Sequence, residues 1–171
     1  MKLEGKHIAY LVGEGFEDLE FWVPLMRLRE EGATVTVVGA EVKTYRGKHC
    51  LEATPDKAAQ DVKAEDFDAI VVPGGWAPDK MRRYPAVLDL VSGVHAQGKI
   101  VGSICHAGLV LISAGIVKGA KATGSEGIKD DLINAGAEWV DQAAFRDGNI
   151  VWGRVVKDIP DFCRELIKAL S

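Results

Sequence analysis

An α/β sandwich built on a mostly parallel sheet is the fold class this sequence predicts, from two observations. Short apolar runs of strand length alternate with longer stretches of helical periodicity. Those runs are apolar at nearly every position, so both faces of each strand need cover, as in a parallel sheet buried under helices.

His7–Val12 (HIAYLV) reads as the first strand. Phe16–Glu31 follows as a helix, with Leu19, Trp22, Val23 and Met26 at i, i+3, i+4 and i+7 as its core-facing stripe and Gly32 as its C-terminal stop. Thr34–Val38 is β-branched and strand-like, and Ala69–Val72 is a short apolar strand ending in Pro73-Gly74-Gly75. Pro85 opens a helix that runs through Val87, Leu88, Val91 and Val94 to Gly98. Ile100–Ile104 is the next strand, and a helix over His106–Ser113 follows it directly. Ile128–Ala135 is a short helix, and Pro160–Leu170 is the last one. Between them, Ala143–Arg146 and Ile150–Trp152 flank Gly148-Asn149 as a small hairpin. No linker, repeat or low-complexity segment intervenes, so residues 1–171 are expected to form a single domain. Active residues are expected at the carboxyl ends of its strands.

Composition narrows the function. The 171 residues are 47% hydrophobic and 27% charged, enough apolar material for a core. A net charge of −4 offers no broad basic face, so a nucleic-acid partner is not expected. Three cysteines cannot all pair, which points to a reducing compartment. The first residues carry charge and then only a strand-length apolar run, unlike a signal peptide. The longest mainly apolar stretch, Gly108–Val117, falls short of the ~20 residues a membrane helix needs. A soluble, cytoplasmic protein with no membrane partner is expected.

Three strand ends carry candidate chemistry. Cys105 stands between a strand and a helix start, where the helix field favours a thiolate and backbone N–H groups face an anionic intermediate. A buried structural cysteine is the equally weighted alternative. His106 adjoins it as a base, although neighbouring side chains often diverge. His49-Cys50 is a second such pair, but no strand–turn–helix surrounds it, and it is read as structural. Gly74 and Gly75 let the backbone turn sharply and approach a ligand, with N–H groups to complete an oxyanion hole; an ordinary strand-to-loop turn is the more common meaning of such a pair. Glu17, Asp18 and Glu20 suit a solvated helix start. Glu20 differs, because Pro24 has no N–H to meet its carbonyl. A kink or late start there would aim Glu20 inward, and burial would keep its carboxyl protonated, able to donate to a sulfur. Gly13-Glu14-Gly15 lacks the third glycine of a dinucleotide loop, since Asp18 holds that place. No P-loop, C-x-x-C or H-E-x-x-H is present, so neither cofactor nor metal is expected.

Several segments together resemble the ThiJ/PfpI superfamily, PfpI-like branch. They are Phe16-Glu17-Asp18-Leu19-Glu20 before Pro24, Pro73-Gly74-Gly75 with Ala77-Pro78-Asp79, Ser103-Ile104-Cys105-His106, Leu111-Ile112-Ser113-Ala114-Gly115, Ile128-Lys129-Asp130-Asp131, and Asn134-Ala135-Gly136-Ala137-Glu138. The resemblance runs from about Ile8 to Leu170. It implies a flavodoxin-like three-layer sandwich, related to class I glutamine amidotransferases. It implies Cys105 as nucleophile at a strained elbow, Glu20 against its sulfur and His106 as base. Asp79 would complete a triad across a subunit interface, with the N–H groups of Gly75 and His106 as oxyanion hole. It implies homo-oligomers, a dimer or a hexamer built from dimers. Ala107-Gly108 stands where the family usually has Gly-Pro, Gly153-Arg154 replaces Ser-Arg, and Trp76 takes a commonly polar place; these bear on the substrate more than on the nucleophile.

Two function classes follow. In the first, the protein is a cofactor-free cysteine-dependent hydrolase or lyase of small reactive aldehydes or glycated adducts, glyoxalase- or deglycase-like. In the second, Cys105 with Glu20 senses oxidation in a stress response. An intracellular cysteine peptidase ranks third, because Trp76 would narrow the groove.

Overall fold

The computed structural model describes residues 1–171. In chain order it contains β1 (His7–Val12), α1 (Asp18–Glu30), β2 (Thr34–Gly39), β3 (Tyr45–Arg46), β4 (Glu52–Ala53), β5 (Lys57–Ala58) and β6 (Ala69–Val72). There follow α2 (Ala77–Met81), α3 (Pro85–Ala96), β7 (Ile100–Ile104), α4 (Gly108–Ser113), β8 (Lys121–Ala122) and α5 (Lys129–Asn134). The chain closes with β9 (Glu138–Trp139), β10 (Ala144–Asp147), β11 (Ile150–Gly153) and α6 (Ile159–Leu170).

The uninterrupted apolar runs form the centre of one sheet, ordered β10-β11-β7-β6-β1-β2-β5. Every neighbour pair is parallel except β10 with β11, the antiparallel hairpin at one edge. All residues of β6 and β7 are buried, as strands covered on both faces must be. Helices α1 and α6 cover one face, and α3 and α4 pack on the other. Strand order reverses between β1 and β6, so a crevice opens at the carboxyl ends there, with β7 beside it. No helix is long and apolar enough to cross a membrane.

The structure corrects three expectations. The stripe Leu19, Val23 and Met26 on α1 does not face the core; these side chains are 48%, 38% and 57% exposed. The buried face is instead Glu20, Phe21, Pro24, Leu25 and Leu28, packed against the sheet. Both faces of α1 are apolar, so periodicity alone could not choose between them. Next, Pro24 does not delay the helix, which starts at Asp18 and continues through it. The carbonyl of Glu20 that Pro24 leaves without a helical donor accepts instead from the Tyr10 hydroxyl on β1, at 2.6 Å. Last, Cys105–Ala107 is a tight 3₁₀ turn before the six-residue α4, so the helix does not begin at His106.

Candidate active site

Cys105 closes β7 with φ +60°, one of two non-glycine residues in the left-handed region. That backbone turns the chain sharply and leaves the side chain partly exposed above the sheet. Its carbonyl accepts from Ser125 N–H at 3.1 Å, so the loop after β8 holds the turn from behind. The sulfur lies 3.3 Å from Nδ1 of His106. The N–H groups of His106 and Gly75 also face the sulfur and favour its ionised form.

Gly75 reaches that position because Phe16 forms an isolated antiparallel bridge with it. Glu17 N–H donates to Gly74 O at 3.1 Å, and Trp76 N–H donates to Gly15 O at 2.8 Å. The backbone at Gly75 has φ +81°, and a Cβ there would lie 2.4 Å from Glu17 N. Only glycine fits. Gly74 is equally confined, since a Cβ would come within 2.9 Å of both Cys105 Cβ and His106 N. Its own N–H, however, donates to Glu20 Oε2 at 3.2 Å. That removes Gly74 from the expected oxyanion donors and leaves Gly75 and His106.

Glu20 is fully buried and in hydrogen-bonding contact with the Cys105 sulfur. Burial pushes its carboxyl up from an ordinary 4.5 to about 8, against the opposing pull of the sulfur and of Gly74 N–H. Oε1 is buried with no hydrogen-bond partner. Burial also raises the Cys105 thiol, and an ionised Glu20 raises it further. This reverses the expectation of a lowered thiol: desolvation and a neighbouring carboxylate outweigh the short helix start. The two groups titrate as one unit. An ionised Glu20 opposes a thiolate there, so the sulfur tolerates a negative charge best while Glu20 keeps its proton.

His106 is held below its ordinary value by burial and then by the charge of Lys48, so its ring is neutral near neutral pH and able to accept a proton. The sulfur is its hydrogen-bond partner. Asp79 does not join it within the chain: that carboxylate is exposed and pairs with Arg83 at 2.6 Å.

Glu17 and Asp18 are not the solvated acids expected, being 5% and 2% exposed. Glu17 accepts from the N–H groups of Leu19 and Glu20 at 2.9 and 3.0 Å, capping α1. Asp18 accepts from His49 N–H and Leu51 N–H at 3.1 and 3.2 Å, so the His49-Cys50 segment is tied to the helix start. That segment delivers Lys48, which sequence reasoning missed. Its ammonium stands 5.3 Å from the centre of the Trp76 ring. No sequence signal marks it, because a lone lysine in a polar stretch looks like any solvated one.

Residues 6–169 match the model of the DJ-1/PfpI family. A deglycase of Pyrococcus horikoshii is 42% identical over 96% of this chain and 99% of its own length. General stress protein 18 of Bacillus subtilis is 37% identical over 98% of this chain and 99% of its own. Among solved structures, a two-domain protein of Anabaena variabilis, with DJ-1/ThiJ/PfpI-like and ferritin-like domains, superposes with a TM-score of 0.95 at 38% identity. The match covers 96% of this chain and 48% of that one. A left-handed cysteine between strand and turn, a buried glutamate at its sulfur and nearly end-to-end similarity lead to one assignment: the chain belongs to the DJ-1/PfpI family.

Proposed function

We propose that this protein is a cofactor-free, Cys105-dependent hydrolase or lyase of reactive 2-oxoaldehydes and of their adducts with amines and thiols. The observation that carries the reading is the convergence on one sulfur of a buried carboxyl, an imidazole and two backbone N–H groups. The name of the Pyrococcus relative supports it. The Cys105 sulfur bonds to the aldehyde carbon, the Gly75 and His106 N–H groups hold the oxyanion, and any amine or thiol leaves with a proton. His106 takes the hydrogen of that carbon as a proton, and the neighbouring carbonyl carbon receives one. The product is a thioester of a 2-hydroxy acid. Water cleaves it and restores the thiol, so oxidation at one carbon balances reduction at the next without an external redox partner.

Asp79, exposed and out of reach of His106 in its own chain, acts across a contact between copies. The exposed apolar face of α1 is the surface proposed for self-association, with cytoplasmic placement matching three free thiols. The test is lactate formation from methylglyoxal. Wild type is expected to produce it, and Cys105→Ala to lose at least about a hundredfold. Robust turnover by the variant would end the reading. The Glu20–sulfur contact favours a second one, an oxidation-responsive stress protein. Absence of turnover in wild type, with Cys105 oxidised by dilute peroxide, would leave that one standing.

A further inference from the structure

A partly buried lysine stands beside the proposed oxyanion hole with no carboxylate paired to its ammonium. Lys48 is partly buried, and neither an ion pair nor a hydrogen bond to its Nζ is present. Its place is fixed by three backbone tiers. Lys48 N–H donates to Phe16 O at 2.9 Å, Phe16 bridges to Gly75, and Gly74 lies against Cys105 and His106. Asp18 anchors the turn around it through His49 and Leu51. Gly47, just before it, is pressed against the same carboxylate, so a side chain there would displace the turn. From above, the Trp76 ring holds the ammonium by a cation–π contact, and Trp76 directly follows Gly75. Trp76 is 62% exposed, so the ring and the ammonium together form one wall at the open edge of the site. The charge is felt by the groups that flank the sulfur, Glu20 and His106.

A cation without a carboxylate partner favours an anion. The two buried acids that pack around the Lys48 turn are already engaged, Glu17 with the cap of α1 and Asp18 with the turn itself. An anion carried by a ligand is what this cation would attract. We propose that Lys48, braced by Trp76, is a specificity residue of the Cys105 site: it reads a carboxylate on the substrate, and the preferred substrates are 2-oxoaldehyde adducts of carboxylate-bearing amines or thiols. This rests on the aldehyde-adduct reading above. The released partner carries the anion, while the 2-hydroxy acid forms on Cys105 as already described.

Two probe pairs test it, each differing by one charge. The first is alkylation of Cys105, followed by mass spectrometry of its peptide, with iodoacetate and iodoacetamide. The iodoacetate-to-iodoacetamide rate ratio is expected to fall about tenfold in Lys48→Met, to be kept in Lys48→Arg, and to shrink with added salt in wild type. An unchanged ratio in Lys48→Met overturns the anion site. The second pair is the methylglyoxal hemithioacetals of N-acetylcysteine and of N-acetylcysteine amide. Wild type is expected to favour the acid about tenfold in kcat/KM, and Lys48→Met to lose that preference. Equal kcat/KM in wild type overturns the substrate class. Turnover of neither adduct, with a Lys48-dependent alkylation ratio, would remove the catalytic reading and leave the anion site standing.

Discussion

Glu20 shows what one buried proton does to a site. Its carboxyl sits at about 8 because burial opposes the charge. Between pH ~4.5 and ~8 the unfolded chain has an ionised Glu20 while the folded chain keeps it protonated. Folding then takes up a proton, so this residue's contribution is greatest at low pH and is lost as pH rises through 8. Glu20→Gln keeps an oxygen for Gly74 N–H and a donor for the sulfur, but cannot ionise. Urea unfolding from pH 5 to 8 is expected to show the variant gaining on wild type as pH rises. Parallel curves would mean that Glu20 is already ionised in the folded protein. The proton matters to the neighbouring thiol as well, because an ionised Glu20 raises it further. The sequence singles out Glu20 among three acids through Pro24, but the helix runs through Pro24 without a late start, and Glu20 turns inward because it lies on the buried face of α1. Glu17 and Asp18 were not legible in the sequence, because their partners Leu19, His49 and Leu51 are backbone donors that no side-chain pattern reveals.

At the scale of elements, α1 is held to the sheet by an unusual link. Pro24 sits inside the helix, and the Tyr10 hydroxyl substitutes for the N–H that proline lacks. Tyr10→Phe strands a buried carbonyl and is expected to cost about 1–2 kcal/mol. In a Pro24→Ala background the helix supplies its own donor, so the same change is expected to cost markedly less. Denaturant titrations of the four proteins measure that coupling, and additive losses would show that the hydroxyl merely packs. The main strands were readable because both their faces are apolar. The hairpin was readable from Gly148-Asn149. The pairs β3–β4 and β8–β9 have two residues per strand, too few to show a period. The face of α1 was misread for a different reason. Phe21, Leu25 and Leu28 repeat as well as Leu19, Val23 and Met26, so periodicity alone does not tell which set turns inward.

At the scale of the whole molecule, an apolar stripe left open on α1 asks for cover. Met26→Glu places a charge on a side chain that is 57% exposed, so the subunit itself should keep its stability within about 0.5 kcal/mol. Sedimentation velocity is expected to show the variant dissociating at concentrations where wild type is associated. A variant that sediments like wild type would move self-association to another surface. The left-handed backbone at Cys105 has a different reach. Glycine is the residue that conformation suits, and a side chain there costs about 1 kcal/mol or more. A single base change turns a cysteine codon into a glycine codon. Cys105→Gly would relieve that backbone cost while deleting the thiol, so the substitution that suits this conformation best is also the one that leaves no sulfur there.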